Sequence, residues 1–307
     1  MEKKTKKYLM IGAPILAAVL LISISLSLLL GSSTRVAFLN IEEGTVQVDT
    51  GNGWETAVNE MSLSLKDKIK TLDGRAVLVL YESIIIELDK NTEVAIEQLS
   101  KDNVKVYQSS GSTWNKFTAI MGIQNFEVET PTTVATVRGT EFWDEAERSV
   151  GVELGLVDVK MGNKLMKVGA QKKAVMKDGE TTMEDFDDND RRRAIEKKKI
   201  MIKHLKKLRS DELKKHSIIY SSMKRMKNWT DADVQRFMDR MDDGEFNPEE
   251  LKQKAKIPAK SLDKFEKLSK EIIKNIKEQR EMEQKSGAAS AATNATADGR
   301  MQKNLTR

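Results

Sequence analysis

The sequence predicts an α+β protein whose β and helical parts form separate domains behind one N-terminal transmembrane helix. Three observations carry that reading. Leu9 to Leu30 is a run of twenty-two residues without a charge, short β-branched runs punctuated by turn residues continue as far as Asp178, and Arg191 to Lys227 is a strongly basic stretch without proline or glycine. The expected divisions are a cytoplasmic N-terminus at 1–8, the span at 9–30, a β domain at 36–178, an acidic linker at 179–190, a basic helical region at 191–284 and a disordered tail at 285–307.

At about 1.5 Å of rise per residue, the first run is long enough to cross a hydrocarbon core of about 30 Å. A cleavable signal peptide has a shorter apolar region, of about 7–15 residues, before a small-residue cleavage site. Here the exit Leu30-Gly31-Ser32-Ser33 has no clear A-x-A pattern, so a retained signal anchor is expected. Lys3, Lys4, Lys6 and Lys7 precede the run and only Arg35 follows closely. By the positive-inside rule the N-terminus stays cytoplasmic and the remainder lies outside, giving a single-pass protein of the cell membrane.

Cysteine is absent, which excludes disulfides, thiolate metal sites and cysteine nucleophiles. The exterior part must therefore be held by hydrophobic burial, for which its length is ample. Charge divides that part in two: residues 36–178 carry 16 Lys/Arg and 22 Asp/Glu, whereas residues 179–307 carry 31 and 24. The change of sign coincides with a change of periodicity, which places a boundary near Asp178-Gly179.

Strand-length runs fill the first half. Thr45 to Val48 precedes the turn residues Asp49 to Gly53; Ala76 to Tyr81 follows Asp73-Gly74; Ile84 to Leu88 ends at Asp89-Lys90-Asn91; and Val94 to Ile96 ends before Lys101-Asp102-Asn103. Val152 to Leu154, Leu156 to Val159 and Leu165 to Val168 are separated by Gly155 and Gly162-Asn163. Such a pattern, without helical period, indicates an all-β sandwich, barrel or short β-helix.

The segment Thr130-Pro131-Thr132-Thr133-Val134-Ala135-Thr136-Val137-Arg138-Gly139-Thr140-Glu141-Phe142 resembles the T-P-x-x-x-A-x-x-R-G-T-x-F signature of the FecR-type extracytoplasmic domain. Upstream, Gly44 to Val48, Leu65 to Thr71, Asp73-Gly74-Arg75-Ala76, Ser83 to Ile86 and Asn91 to Val94 follow in that family's order, so the resemblance covers roughly residues 40–145. It implies an all-β module outside the membrane with a sensing or assembly role. Members that sense iron dicitrate regulate a sigma factor through a cytoplasmic segment before their span, and the few residues ahead of Leu9 leave no room to expect one here. Tyr81-Glu82-Ser83 stands where the family often has Asp-Gly-Ser, which implies a different turn.

The signature is also intelligible physically. Pro131 fixes its own φ and holds Thr130 extended, and the residues after it alternate so that Ala135 and Val137 share one face. Arg138 is expected to satisfy carbonyls or a carboxylate and lock the strand end, and Gly139 to mark a bulge or a close approach of backbone. Thr130, Pro131, Arg138, Gly139 and Thr140 are thus a structural motif.

The second half reads as helices. Ile195, Ile202, Leu205 and Leu208 form a stripe in a stretch holding fifteen Lys/Arg and three Asp/Glu, preceded by acidic residues suited to a helix N-terminus. Thr230-Asp231-Ala232-Asp233 reads as a cap with an acidic first turn, and Gly244 as a stop. Asn247-Pro248 opens another helix, and Pro258 with Ser261 a last one carrying Leu262, Phe265, Leu268, Ile272, Ile273 and Ile276.

Neither metal nor cofactor is expected. Asp239, Asp243, Gly244, Asn247 and Glu250 fall on EF-hand positions, but Met241 takes the place of an oxygen ligand; Asp185, Asp187, Asn189 and Glu196 form a second near-match without the turn glycine. Both read as helix caps or solvated acidic clusters. His204 and His216 are twelve residues apart, about 120° around one helix, and do not face each other. No nucleophile elbow, phosphate loop or H-E-x-x-H helix occurs, so a non-enzymatic protein is expected.

Two functions fit. One is a membrane-anchored binding or scaffold module for envelope assembly or signal sensing, with an envelope protein or polymer as partner. The other is an extracytoplasmic polyanion binder, contacting its ligand through Lys197, Lys198, Lys199, Lys203, Lys206 and Lys207. Nucleic acid is disfavoured because the basic run lacks the series of interleaved aromatic residues that base stacking needs.

Overall fold

The computed structural model describes residues 36–118, 120–216, 220–221, 224–225, 228–249 and 262–305, with side chains as far as residue 286. Leu9 to Leu30 lies outside them, and among the described residues no helix is long and apolar enough to cross a membrane.

The strands in chain order are β1 (Ala37–Glu43), β2 (Val46–Asp49), β3 (Trp54–Thr56), β4 (Lys68–Thr71), β5 (Arg75–Leu80), β6 (Ile84–Leu88), β7 (Glu93–Leu99), β8 (Asn103–Ser110) and β9 (Ser112–Phe117). They continue as β10 (Asn125–Glu129), β11 (Thr133–Val137), β12 (Glu141–Glu145), β13 (Ser149–Leu154), β14 (Leu156–Met161), β15 (Lys164–Gly169), β16 (Lys172–Lys177) and β17 (Glu180–Asp185). They make two sheets, one in the order β1-β5-β6-β9-β12-β13-β16-β17 and the other β15-β14-β11-β10-β8-β7-β4-β2-β3. From β5 onward the chain passes back and forth between the sheets: β5-β6 in the first, β7-β8 in the second, the single strand β9 in the first, then the hairpins β10-β11, β12-β13, β14-β15 and β16-β17 in alternate sheets. That alternation builds a sandwich, one of the three architectures the strand pattern allowed. Between the sheets lie Leu78, Leu80, Ile84 and Ile86 from one side and Ile69, Val106, Phe126 and Val128 from the other.

The two sheets differ in their surroundings. β8, β10 and β14 alternate buried with partly or fully exposed residues, as strands with one face toward water do. β5, β6, β9 and β12 are buried along almost their whole length, so the first sheet is covered on both faces. The cover is helical: α1 (Asp188–Lys215) and α3 (Asp263–Leu305) lie on the sheet, and α2 (Asp231–Asp242) packs through Val234, Met238 and Met241 against Leu213 of α1 and Phe265 of α3. Phe38, Val77, Val79, Ile85, Trp114 and Trp143 of the sheet form one apolar cluster with Ala194, Met201, Leu205 and Leu208 of α1 and Leu268 and Ile272 of α3. Each such buried aliphatic side chain contributes about 1.5–3 kcal/mol.

Capping starts the helices where the acidic residues suggested. Asp187 caps α1 by accepting from the backbone N–H of Asn189 and Asp190, with Asp190 reciprocating to the Asp187 N–H. Thr230 and Asp233 form the same reciprocal box at α2, which ends before Gly244. Pro248 and Glu249 are helical and Asn247 accepts from the Glu249 N–H at 2.9 Å; residues 250–261, which hold the rest of that expected helix and the expected opening of the next at Pro258 and Ser261, lie outside the described residues.

Three expected divisions change. The sandwich and helices are not separate domains, since residues 35–307 form one compact unit; the apolar outer face of the first sheet requires a cover, and the helices supply it. Residues 179–190 are not a linker: β17 pairs with β16 and α1 follows within three residues. Residues 285–305 continue α3, because the run from Ala288 to Ala297 is rich in alanine, the best helix former.

Candidate functional site

The feature that the fold builds with most charge is the seam between α1, α3 and the outer face of the first sheet. Strands β9, β12 and β6 place Lys116, Glu141 and Glu87 on that face, beside Trp114, Trp143 and Ile85. Charges on a covered face must be paired, because desolvating an isolated ion costs several kcal/mol. Glu141 is fully buried; it lies 2.7 Å from the Lys198 ammonium and 3.2 Å from that of Lys116, and accepts from the Trp114 indole N–H at 3.1 Å. Burial alone would raise its carboxyl, but Lys116 and Lys198 more than offset this and hold it at about 2. Lys198 also reaches Glu278 of α3 at 2.9 Å, and Lys116 reaches Glu271 at 3.1 Å. Burial opposes the Lys198 charge, yet Glu141 and Glu278 leave its pKa raised.

Further along, Lys197 lies 2.8 Å from the buried Glu87 and 2.5 Å from Asp89, while Arg193 spans Asp89 and Glu145 at 3.2 and 2.6 Å. Burial raises the Glu87 carboxyl despite Lys197. At the far end Glu82 of the β5-β6 turn is paired with Lys215 of α1, at 2.8 Å, and with Lys264 of α3. That turn holds both Tyr81 and Glu82 at φ +50 and is closed by the Ser83 N–H donating to the Leu80 carbonyl at 3.0 Å. Two central residues in the left-handed region are the geometry that Asp-Gly also favours, so the change of residues does not by itself make a different turn.

All six lysines proposed for a polyanion have a partner within the chain, but only Lys197 and Lys198 are buried, while Lys199 and Lys203 are exposed. Lys197 and Lys198 are buried as described; Lys199 pairs with Glu283 at 3.2 Å, Lys203 with Glu42 at 2.5 Å, Lys206 with Asp242 at 3.0 Å, and Lys207 with Glu60 and Asn40 at 2.5 and 2.6 Å. His204 is buried and meets Glu42 at 3.0 Å, whereas His216 lies 3.4 Å from Glu212 of its own helix. The excess of acid in the strands and of base in the helix is matched largely in cis. Among the described residues no group of three or more His, Cys, Asp or Glu is arranged to hold a metal ion. Asp187 and Asp190 of the second EF-hand near-match form the α1 capping box, and Asp243 of the first pairs with Arg280.

The signature residues sit at both ends of β11. At one end Thr130 accepts from the Thr133 N–H at 2.9 Å while its own N–H donates to the Thr133 carbonyl, closing a tight turn around Pro131. At the other, Arg138 is exposed and donates from Nε to the Asn125 side-chain oxygen at 3.1 Å. Its partner is thus a neighbouring amide on β10, neither a carbonyl of the chain nor a carboxylate. Thr140 is buried, and its carbonyl accepts from the Phe117 N–H. Gly139 has φ +62, with nothing within 4 Å of where a Cβ would stand, so no close approach demands it. The requirement is conformational, and Gly139→Val is expected to cost about 1–3 kcal/mol in urea unfolding, with Gly139→Asn costing clearly less. Equal costs would remove this account.

Residues 67–158 match a family model described as FecR protein. No curated protein matches the chain. Two crystal structures of a candidate anti-sigma factor from Parabacteroides distasonis are similar to it, each with 19% identity, a TM-score of 0.36, and coverage of 39% of this chain and 60% of theirs.

Proposed function

We propose that this chain is a non-enzymatic regulator of signal transduction, held in the cell membrane by Leu9 to Leu30 with residues 35–307 outside. Its sandwich is the sensing element, and its helices are the part through which a change in the sandwich is passed on. One observation carries this reading: the match to the FecR family at 67–158 falls on a sandwich whose first sheet is joined to the chain's own helices by buried ion pairs. The family match supports signal sensing over envelope assembly, and the burial of Lys197 and Lys198 against acids of the chain gives a polyanion site less support.

The test uses the full chain in its native host. The protein should stay with membranes through alkaline carbonate extraction and leave them when Leu20 and Leu21 are both replaced by Arg. Deleting the gene should change transcription of a defined set of genes, and a membrane-retained Lys198→Ala chain should reproduce part of that change. An extractable wild-type protein contradicts the anchor, and an unaltered transcript profile in the deletion strain contradicts the regulatory role.

A further inference from the structure

The seam encloses more acid than base. Around the Glu141 pair stand four carboxylates, Glu141 on β12, Glu153 on β13, and Glu271 and Glu278 on α3. Against them are two enclosed ammoniums, Lys116 on β9 and Lys198 on α1, each already shared between two carboxylates. Other cations nearby are committed or peripheral: Lys173 on β16 is held by Asp187 and Asp190, and Lys274 is exposed, 3.9 Å from Glu278. Glu153 is buried and has only a neutral donor, the Gln171 side-chain amide at 2.8 Å. Glu141 and Glu278 both repel its charge, and Lys198, which attracts it, is already engaged with them.

We propose that this seam is a proton-responsive latch, in which a proton on Glu153 keeps α3 docked and its loss releases α3 from the apolar face of the first sheet. The proposal deepens the regulatory reading by naming the input that moves the helices. Once ionised, Glu153 faces Glu278 across the seam and competes for Lys198, so the repulsion acts on α3 directly. Release would uncover the apolar cluster that Leu268 and Ile272 now help to close.

Burial raises the Glu153 carboxyl to about 7, against an ordinary glutamate value near 4.5. A group held above its ordinary value in the docked state favours docking fully below about pH 4.5. That contribution declines by up to about tenfold per pH unit until about pH 7 and is constant above it. Hydrogen-exchange protection of the amides from Phe265 to Glu283, corrected to a common intrinsic rate, reads this in the full chain in detergent micelles. The wild type should lose α3 protection over that window. Glu153→Gln should flatten the α3 profile and exceed wild-type protection at pH 7 by tenfold or more, and Asp144→Asn, at a buried acid away from the seam, should leave the α3 slope in place. A slope that survives Glu153→Gln, or that Asp144→Asn abolishes, overturns the latch. So does a carboxyl-carbon NMR titration of the wild type in which no glutamate titrates above pH 6, a reading that needs no variant to fold. None of these outcomes depends on the membrane or transcription tests, so the latch and the regulatory role fail separately.

Discussion

Lys198→Ala is expected to destabilise residues 35–307 by about 3–5 kcal/mol, the largest effect of any single lysine substitution in α1. Its ammonium is buried and shared between Glu141 at 2.7 Å and Glu278 at 2.9 Å, so truncation leaves buried carboxylates short of a partner. The neighbouring Lys199→Ala should cost less than about 1 kcal/mol, because Lys199 and Glu283 are exposed and screened by solvent. Denaturant unfolding of the two variants checks this. The double change Lys198→Met with Glu141→Gln should cost less than the sum of the two single changes, since it removes the stranded charge along with its partner. Equal effects at 198 and 199 would mean that the buried pairs contribute nothing specific.

Asp144→Asn is expected to stabilise the protein, by several kcal/mol near pH 8 and by little near pH 4. Asp144 lies between the sheets, where the Thr133 hydroxyl donates to one of its oxygens at 3.3 Å and the other has no partner, as is also true of the Asn115 side-chain oxygen. Burial raises its carboxyl to about 8 and no cation offsets it. The sign follows from the folded value lying above the ordinary 3.8. The wild type keeps this contribution below about pH 4 and loses it as pH rises to about 8, by up to about 1.4 kcal/mol per unit. In the variant that slope should disappear from the melting temperature. A variant less stable than wild type at pH 8 would contradict the burial argument.

Sequence alone conveyed β2, β5, β6, β7, β13, β14 and β15, the α1 and α2 caps and the alternation around Ala135 and Val137, because each is a local property, whereas β17 was taken for part of a linker. What joins the two halves was partly legible too. Ala76 to Tyr81 and Ile84 to Ile86 run apolar without alternation, the mark of a sheet covered on both faces, and that pattern argues against an independent β domain. Glu87 between Ile86 and Leu88, and Lys116 between Asn115 and Phe117, are single charges in such strands and signalled buried partners. Which partners could not be read, since Lys198 and Glu141 are 57 residues apart and meet only through packing. The basic run looked like free charge for the same reason. Some of its acids lie over a hundred residues earlier, as with Lys197 and Glu87, and others on the later helices, as with Lys199 and Glu283.

Sandwich and helices, joined by the buried pairs, are expected to unfold as one cooperative body. Differential scanning calorimetry of residues 35–307 at about pH 5, where the Glu153 proton keeps α3 docked, checks this. The expected result is a single transition whose calorimetric and van't Hoff enthalpies agree, shifted as a whole by Lys198→Ala. Two separable transitions, with Lys198→Ala moving only the lower one and leaving a sandwich of unchanged melting temperature, would contradict it.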